Sequence, residues 1–347
     1  MLDSIPRPRG RWIAHRVGVA TLALVLIATP TATQAQSRAD SDWAVPRTPD
    51  GHPDFQGNWT NATLTPFERR RGQGPVLTAE EVEQIEGREA TRVAADAAPV
   101  DPDRPPLRAG GSIGSYNAVY HNRGGRVAVI DGEPRSSLIT TPADGRQPPL
   151  TPEGARRLAE HEALMGRFGE ADNPENRPLV ERCILSRSNA GPPMLPDAVY
   201  NNNYTIVQTT DHVVIMAEMI NDARVIPLRR SPPVPAHVRP WMGVSNGRWE
   251  GDTLVVETTN LHPGQTLLGV PPSEQLRIVE RLSWWSPGTL LYEFTIDDPT
   301  TYAQPWGGQI PVERFDQLLY EYACHEANYA LSGILSGARY EEGRAGN

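Results

Sequence analysis

In the run Leu276–Trp285 a single carboxylate, Glu280, stands among large apolar residues. Side chains alternate along a strand, so Leu276, Ile278, Glu280, Leu282 and Trp284 share one face. Arg277, Val279, Arg281, Ser283 and Trp285 take the other. Across the turn Ser286-Pro287-Gly288, the residues Leu290, Tyr292, Phe294 and Ile296 offer a matching apolar face. Glu280 is therefore expected to point inward, on the side of Tyr292. Desolvation raises the pKa of a buried carboxylate, which suits a general acid or base. A structural ion pair with an arginine such as Arg224 accounts for a buried glutamate equally well.

A second group of candidates lies earlier in the chain. Glu218 falls on the same side of its strand as His212, Val214 and Met216, and Asn221-Asp222 then leads to Arg224. Two carboxylates at such separations can divide acid and base roles, with Arg224 orienting an anionic group. Asp222 can equally be a turn former, as Asn-Asp pairs often are. His325, next to Cys324 and Glu326, carries an imidazole that titrates near neutrality. Trp241, Trp249, Trp284, Trp285 and Trp306 crowd into one stretch, and aromatic faces serve both cores and ligand stacking. Trp241 and Trp306 sit beside Pro and Gly, which favours a place at a mouth. Trp241, Trp284, Tyr292 and Arg224 are the expected substrate contacts.

Several chemistries are excluded. Every basic residue is arginine, so Schiff-base, pyridoxal phosphate, P-loop and Ser-Lys chemistry have no amine to use. No histidine has a second at helical ligand spacing, so no metal site is expected. Gly243-Val244-Ser245-Asn246-Gly247 fits the nucleophile-elbow pattern, but an elbow needs a helix after the serine. Residues 248–259 read as turn and strand instead. No glycine-rich strand–helix junction is present, and no cofactor is expected.

These residues need a frame that holds them. From residue 200 onward, short β-type runs alternate with turn residues. Strands are expected at Tyr204–Gln208, His212–Met219, Ala223–Leu228, Met242–Arg248, Thr253–Thr259, Leu276–Trp285, Thr289–Ile296 and Arg314–Cys324. An antiparallel meander of this size hides its edges by closing, and about eight strands enclose side chains or one small ligand. The expected fold is mainly β, an up-and-down meander closing into a lipocalin-like barrel over residues 200–330. Residues 36–199 are proline-rich and read as an irregular strap carrying two helices. One opens at the capping box Thr78-Ala79-Glu80-Glu81, the other at Thr151-Pro152. A short strand is expected at Arg126–Ile130, and residues 331–347 read as a tail.

The first 35 residues have the three parts of a secretory signal. Arg7, Arg9, Arg11 and Arg16 precede the apolar run Val17–Ala28, and Thr33-Gln34-Ala35 supplies small residues for cleavage near Ala35. That run, about 12 residues, is too short to span a bilayer, so no membrane insertion is expected after cleavage. The expected location is periplasmic or secreted. Removing the segment takes four Arg and one Asp from 33 basic and 42 acidic residues, leaving 29 against 41. So acidic a chain is a poor partner for nucleic acid. The two cysteines, Cys183 and Cys324, are expected to pair in an oxidising compartment.

Several long stretches, read together, resemble a family of exported bacterial proteins abundant in soil and marine lineages. They are Thr48 through Trp59, Tyr200 through Gln208, Trp241 through Asn260, Asp297-Asp298-Pro299 with Pro305-Trp306, and Tyr320 through Tyr329. The resemblance spans nearly all of the mature chain and implies export and one architecture, but assigns no catalytic residue. Val244 and Asn221 stand where the pattern has Asp and His. The leading expectation is an exported enzyme using carboxylate and histidine acid–base chemistry on a small organic or sugar-like substrate, as lyase, isomerase or hydrolase. The alternative is a lipocalin-like carrier of a small apolar ligand. A cavity that gathers ionisable groups favours the first, and a wholly apolar one the second.

Overall fold

The structure is a computed structural model and describes residues 43–99, 103, 122–186, 191–197, 202–229, 232, 234–326 and 328–345. They belong to one unit, residues 35–347. The expected signal segment lies outside them.

Tight turns fold the second half of the chain into hairpins. The strands are β1 (Gly57–Thr60), β2 (Val129–Ile130), β3 (Glu133–Pro134), β4 (Ile139–Thr141), β5 (Asn203–Gln208), β6 (His212–Ala217) and β7 (Ala223–Pro227). They continue as β8 (Val244–Glu250), β9 (Thr253–Thr259), β10 (Arg277–Ser286), β11 (Thr289–Asp297) and β12 (Trp306–Arg314). Gly251 and Gly288 adopt the left-handed backbone that the β8–β9 and β10–β11 turns require. Apart from a separate β2–β3 ribbon, the strands form one antiparallel sheet nearly closed into a barrel. Its order is β7-β6-β5-β1-β12-β11-β10-β9-β8, with β4 also on β12.

Parity explains where closure stops. Nine strands lie on that path and each runs antiparallel to its neighbour, so β7 and β8 at its ends must point the same way. Parallel neighbours cannot be joined by a tight turn. The proline-rich stretch between β7 and β8 makes the crossing, and side chains rather than a ladder close the seam. A Cβ on Gly247 of β8 would come within 2.9 Å of Ile226 and Leu228.

Two sequence expectations about strands are corrected. The N-terminal strap supplies sheet strands: β1 is inserted between β5 and β12, and β4 adds to β12. The last strand is Trp306–Arg314, and residues 315–324 after it are irregular. Gly307, Gly308 and Pro311 disguise that strand. The glycines allow close approach, since a Cβ on Gly308 would lie 2.2 Å from the Leu138 carbonyl oxygen. Pro311 falls between the residues paired to β4 and those paired to β1, where a missing N–H interrupts neither ladder.

The helices α1 (Ala79–Asp96) and α2 (Pro152–Met165) begin at their expected caps. Thr78 Oγ1 accepts from Glu81 N at 3.2 Å, and Glu81 Oε2 accepts from Thr78 N at 2.8 Å. Gly154 lets α2 sit on the Thr301 carbonyl, where a Cβ would meet the oxygen at 2.4 Å. A third helix, α3 (Tyr329–Ala345), occupies the expected tail. Its three glycines obscured good helix formers such as Ala330, Leu331, Leu335 and Arg339. Among the described residues no helix is long and apolar enough to cross a membrane.

Candidate functional site

The barrel interior is filled by side chains of alternate strand positions. Ile206, Ile215, Ile226, Leu254, Val256, Ile278, Leu282, Leu290, Phe294 and Ile296 are all buried. Within this apolar lining stands one charged cluster. Glu280 is 2 % exposed and Arg224 7 % exposed. The Arg224 guanidinium donates from Nη1 to Glu280 Oε2 and from Nη2 to Oε1, each at 2.9 Å. The Tyr292 hydroxyl donates to Glu280 Oε1 at 2.8 Å and accepts from Met194 N at 2.9 Å. Burial opposes the Arg224 charge, but the adjacent carboxylate outweighs it and holds the guanidinium above its usual pKa. Burial and then the Glu280 charge push the Tyr292 hydroxyl well above the phenol range. Both Glu280 oxygens are thus occupied, in the two-pronged geometry that makes Arg–carboxylate pairs strong.

Glu218 does not join them. Inward positions of β6 are Val213, Ile215 and Ala217, so Glu218 falls on the outer side of the sheet. It is buried there by neighbouring chain: Asn203 Nδ2 donates to Oε2 at 2.5 Å, and Tyr320 N donates to Oε1 at 3.1 Å. Residues 315–320 reach it from the end of β12, pinned on the way where Phe315 N meets Asn58 O at 2.9 Å.

Asp222 is placed differently. The β6–β7 turn contains two consecutive left-handed residues without glycine, Ile220 at φ 67° and Asn221 at φ 60°. Such backbone costs roughly 1–3 kcal/mol per residue and clusters at functional sites. Asp222 follows in extended conformation, two residues before Arg224. Period-two geometry puts both on the same side, with Asp222 at the rim and Arg224 below it. One Asp222 oxygen, Oδ2, is buried and has no hydrogen-bond partner among the described residues. Burial pushes the pKa of this carboxyl up to about 6.

The remaining candidates are scattered. His325 is exposed on the turn after Cys324, and among the described residues its imidazole makes no hydrogen bond. Trp241 stacks on His262 with ring centroids 3.8 Å apart. Burial, followed by the Arg239 charge, lowers the His262 pKa. Trp284 sits at the opposite end of the barrel, against Trp43 and Trp59, and its Nε1 donates to Asp54 O at 3.2 Å. The placing of Trp306 at a mouth is corrected: it opens β12, is fully buried, and packs edge-on to Phe294 and Tyr302. Ser245 lies within β8 with its Oγ 2.8 Å from Thr258 Oγ1, and strand β9 rather than a helix follows. Cys183 and Cys324 form a disulfide. Among the described residues no group of three His, Cys, Asp or Glu could hold a metal ion.

Two groups at the Asp222 end escaped the sequence reading. Tyr204 is fully buried on the inner face of β5, a position legible from its alternation with Ile206. Asn61 follows β1 and is 1 % exposed. Nothing in its neighbourhood signals this, because the stretch reads as strap.

Compared with known proteins, the chain matches no family profile, no curated protein and no solved structure.

Proposed function

We propose that the protein is an exported enzyme that transfers protons through Asp222 on a small organic or sugar-like substrate. The observation that carries this is the Asp222 carboxyl, with a buried oxygen that no group engages among the described residues. A group held for structure is satisfied; one held for chemistry is left free to meet a substrate. Its pKa of about 6 lets it exchange a proton near neutrality. Two left-handed residues hold the turn that presents it. Glu280, locked by Arg224 and Tyr292, supplies the rigid floor rather than the reacting group. A lipocalin-like carrier would want an apolar interior, whereas this one holds the Arg224–Glu280 pair, with Asp222 two residues before Arg224. The disulfide supports a location in an oxidising compartment.

The test is Asp222→Asn, assayed on a panel of aryl glycosides, aryl esters and hydroxy acids. Wild-type turnover should show an inflection near pH 6, and the variant should lose about 10²- to 10⁴-fold. A variant as active as wild type would overturn the reading.

The same substitution has a second expected effect. The folded pKa lies above the unfolded value, so the folded state binds the extra proton between roughly pH 4 and 6. Stability therefore falls as pH rises through that window and stays lower above it. Asp222→Asn removes the penalty and should raise stability at pH 7 by about 1 kcal/mol, after discounting for partial exposure. At pH 3 the two proteins should melt alike.

A further inference from the structure

We propose that Asn61 and Tyr204 form a binding subsite for a hydroxyl group, making the ligand a neutral polyhydroxy compound. This rests on the reading of Asp222 as the reacting group and names the substrate class for it.

Both residues lie at the Asp222 end of the barrel. Thr60 pairs with Asn203, which places Asn61 beside the start of β5, and Tyr204 pairs with Ala217 at the end of β6. The β6–β7 turn that carries Asp222 begins at the next residue, Glu218.

The hydrogen bonds around these two side chains are incomplete. Asn61 Nδ2 donates to Met194 O at 3.0 Å and faces the Tyr204 hydroxyl oxygen at 3.4 Å. Asn61 Oδ1 is buried and has no partner among the described residues. Turning the amide over gives no remedy, because Met194 O would then face an oxygen. The Tyr204 hydroxyl accepts from Asn61 but, among the described residues, has nothing to donate to. One acceptor and one donor thus stand unused on two neighbouring side chains. An unmade buried hydrogen bond is costly, so a group that supplies both partners is strongly favoured there.

A hydroxyl is such a group, since it donates one hydrogen bond and accepts others. Charge argues for a neutral ligand. Beneath the subsite, Arg224 and Glu280 are already paired with each other. Neither is free to neutralise a carboxylate or an ammonium, and at pH 5, where the titrations below are run, Asp222 is protonated and adds no charge. Burial, the largest influence on Tyr204, raises its pKa, so the phenol keeps its proton to donate.

The experiment is calorimetric titration of the full-length protein at pH 5 with glycerol, D-glucose and myo-inositol, against glucuronate and glucosamine as charged counterparts. At least one neutral polyol should bind, its charged counterparts at least tenfold more weakly. Tyr204→Phe, which keeps the ring and removes only the donor, should weaken that binding about tenfold. Asn61→Leu should do the same; because it also frees the Met194 carbonyl, the conservative Tyr204→Phe variant decides. Absence of polyol binding, with an ordered water only between Asn61 and Tyr204 in a high-resolution crystal structure, overturns the subsite. So does unchanged affinity in Tyr204→Phe. Because binding is read without turnover, a protein that binds polyols and turns none over contradicts only the role given to Asp222.

Discussion

Glu280→Gln is expected to destabilise the folded protein by about 3–5 kcal/mol. The substitution keeps shape but removes the charge, leaving a 7 % exposed guanidinium without its counterion. Desolvating an isolated ion is costly, and no other carboxylate contacts Arg224 among the described residues. Tyr292 would also lose the charged acceptor of its 2.8 Å bond. The reciprocal change, Arg224→Met, should be as damaging, because it strands the carboxylate. The double variant Glu280→Leu with Arg224→Met should recover most of the loss, since replacing a buried pair by apolar residues is often neutral. Urea unfolding of the four proteins measures both losses and the recovery. If Glu280→Gln unfolds within about 1 kcal/mol of wild type, the cluster is not the interior floor described above.

Removing the disulfide should have an effect of similar size. Cys183 and Cys324 are 141 residues apart in sequence, so the bridge closes a very long loop in the unfolded chain. On the chain-entropy account such a loop contributes about 4–5 kcal/mol. The bridge also joins two segments outside the sheet: residues 177–186, in turns, and residues 315–326, which are irregular after β12. Asn328 adds to the junction, with Nδ2 bonding Glu181 O at 3.2 Å and Cys183 Sγ at 3.3 Å. The paired Cys183→Ser, Cys324→Ser variant should therefore unfold at markedly lower denaturant, and wild type should match it only when reduced. Thiol titration of the unreduced, denatured protein should find no free thiol. Two titratable thiols, or an unchanged midpoint, would contradict this.

What the sequence made legible follows from how local each signal was. Alternation along Leu276–Trp285 needs only one strand, and it placed Glu280 inside correctly. The capping box at Thr78 and the Thr151-Pro152 start are equally local. The disulfide followed from compartment and count. What was not legible depends on distant partners. That Glu280 is paired depends on Arg224, 56 residues away. Gly57–Thr60 becomes a strand because β5 and β12 offer it two open edges, which its own residues do not announce. Trp306 was misplaced because Pro305 and Gly307 look like a loop, when the glycines admit β4. Glu218 and Asp222, four residues apart, fit an acid–base pair or, for Asp222, a turn former. The two left-handed residues between them turn one outward and the other to the inner rim.

The central claim is that Asp222 is a free, proton-exchanging carboxyl at the open side of a locked interior. Carbon-13 NMR of aspartate carboxyl carbons, assigned by comparison with Asp222→Asn, measures this directly as pH is varied. The account predicts that the Asp222 signal titrates with a midpoint of about 6. A midpoint near the ordinary aspartate value of about 4 would show the carboxyl to be solvated or paired, and would contradict it.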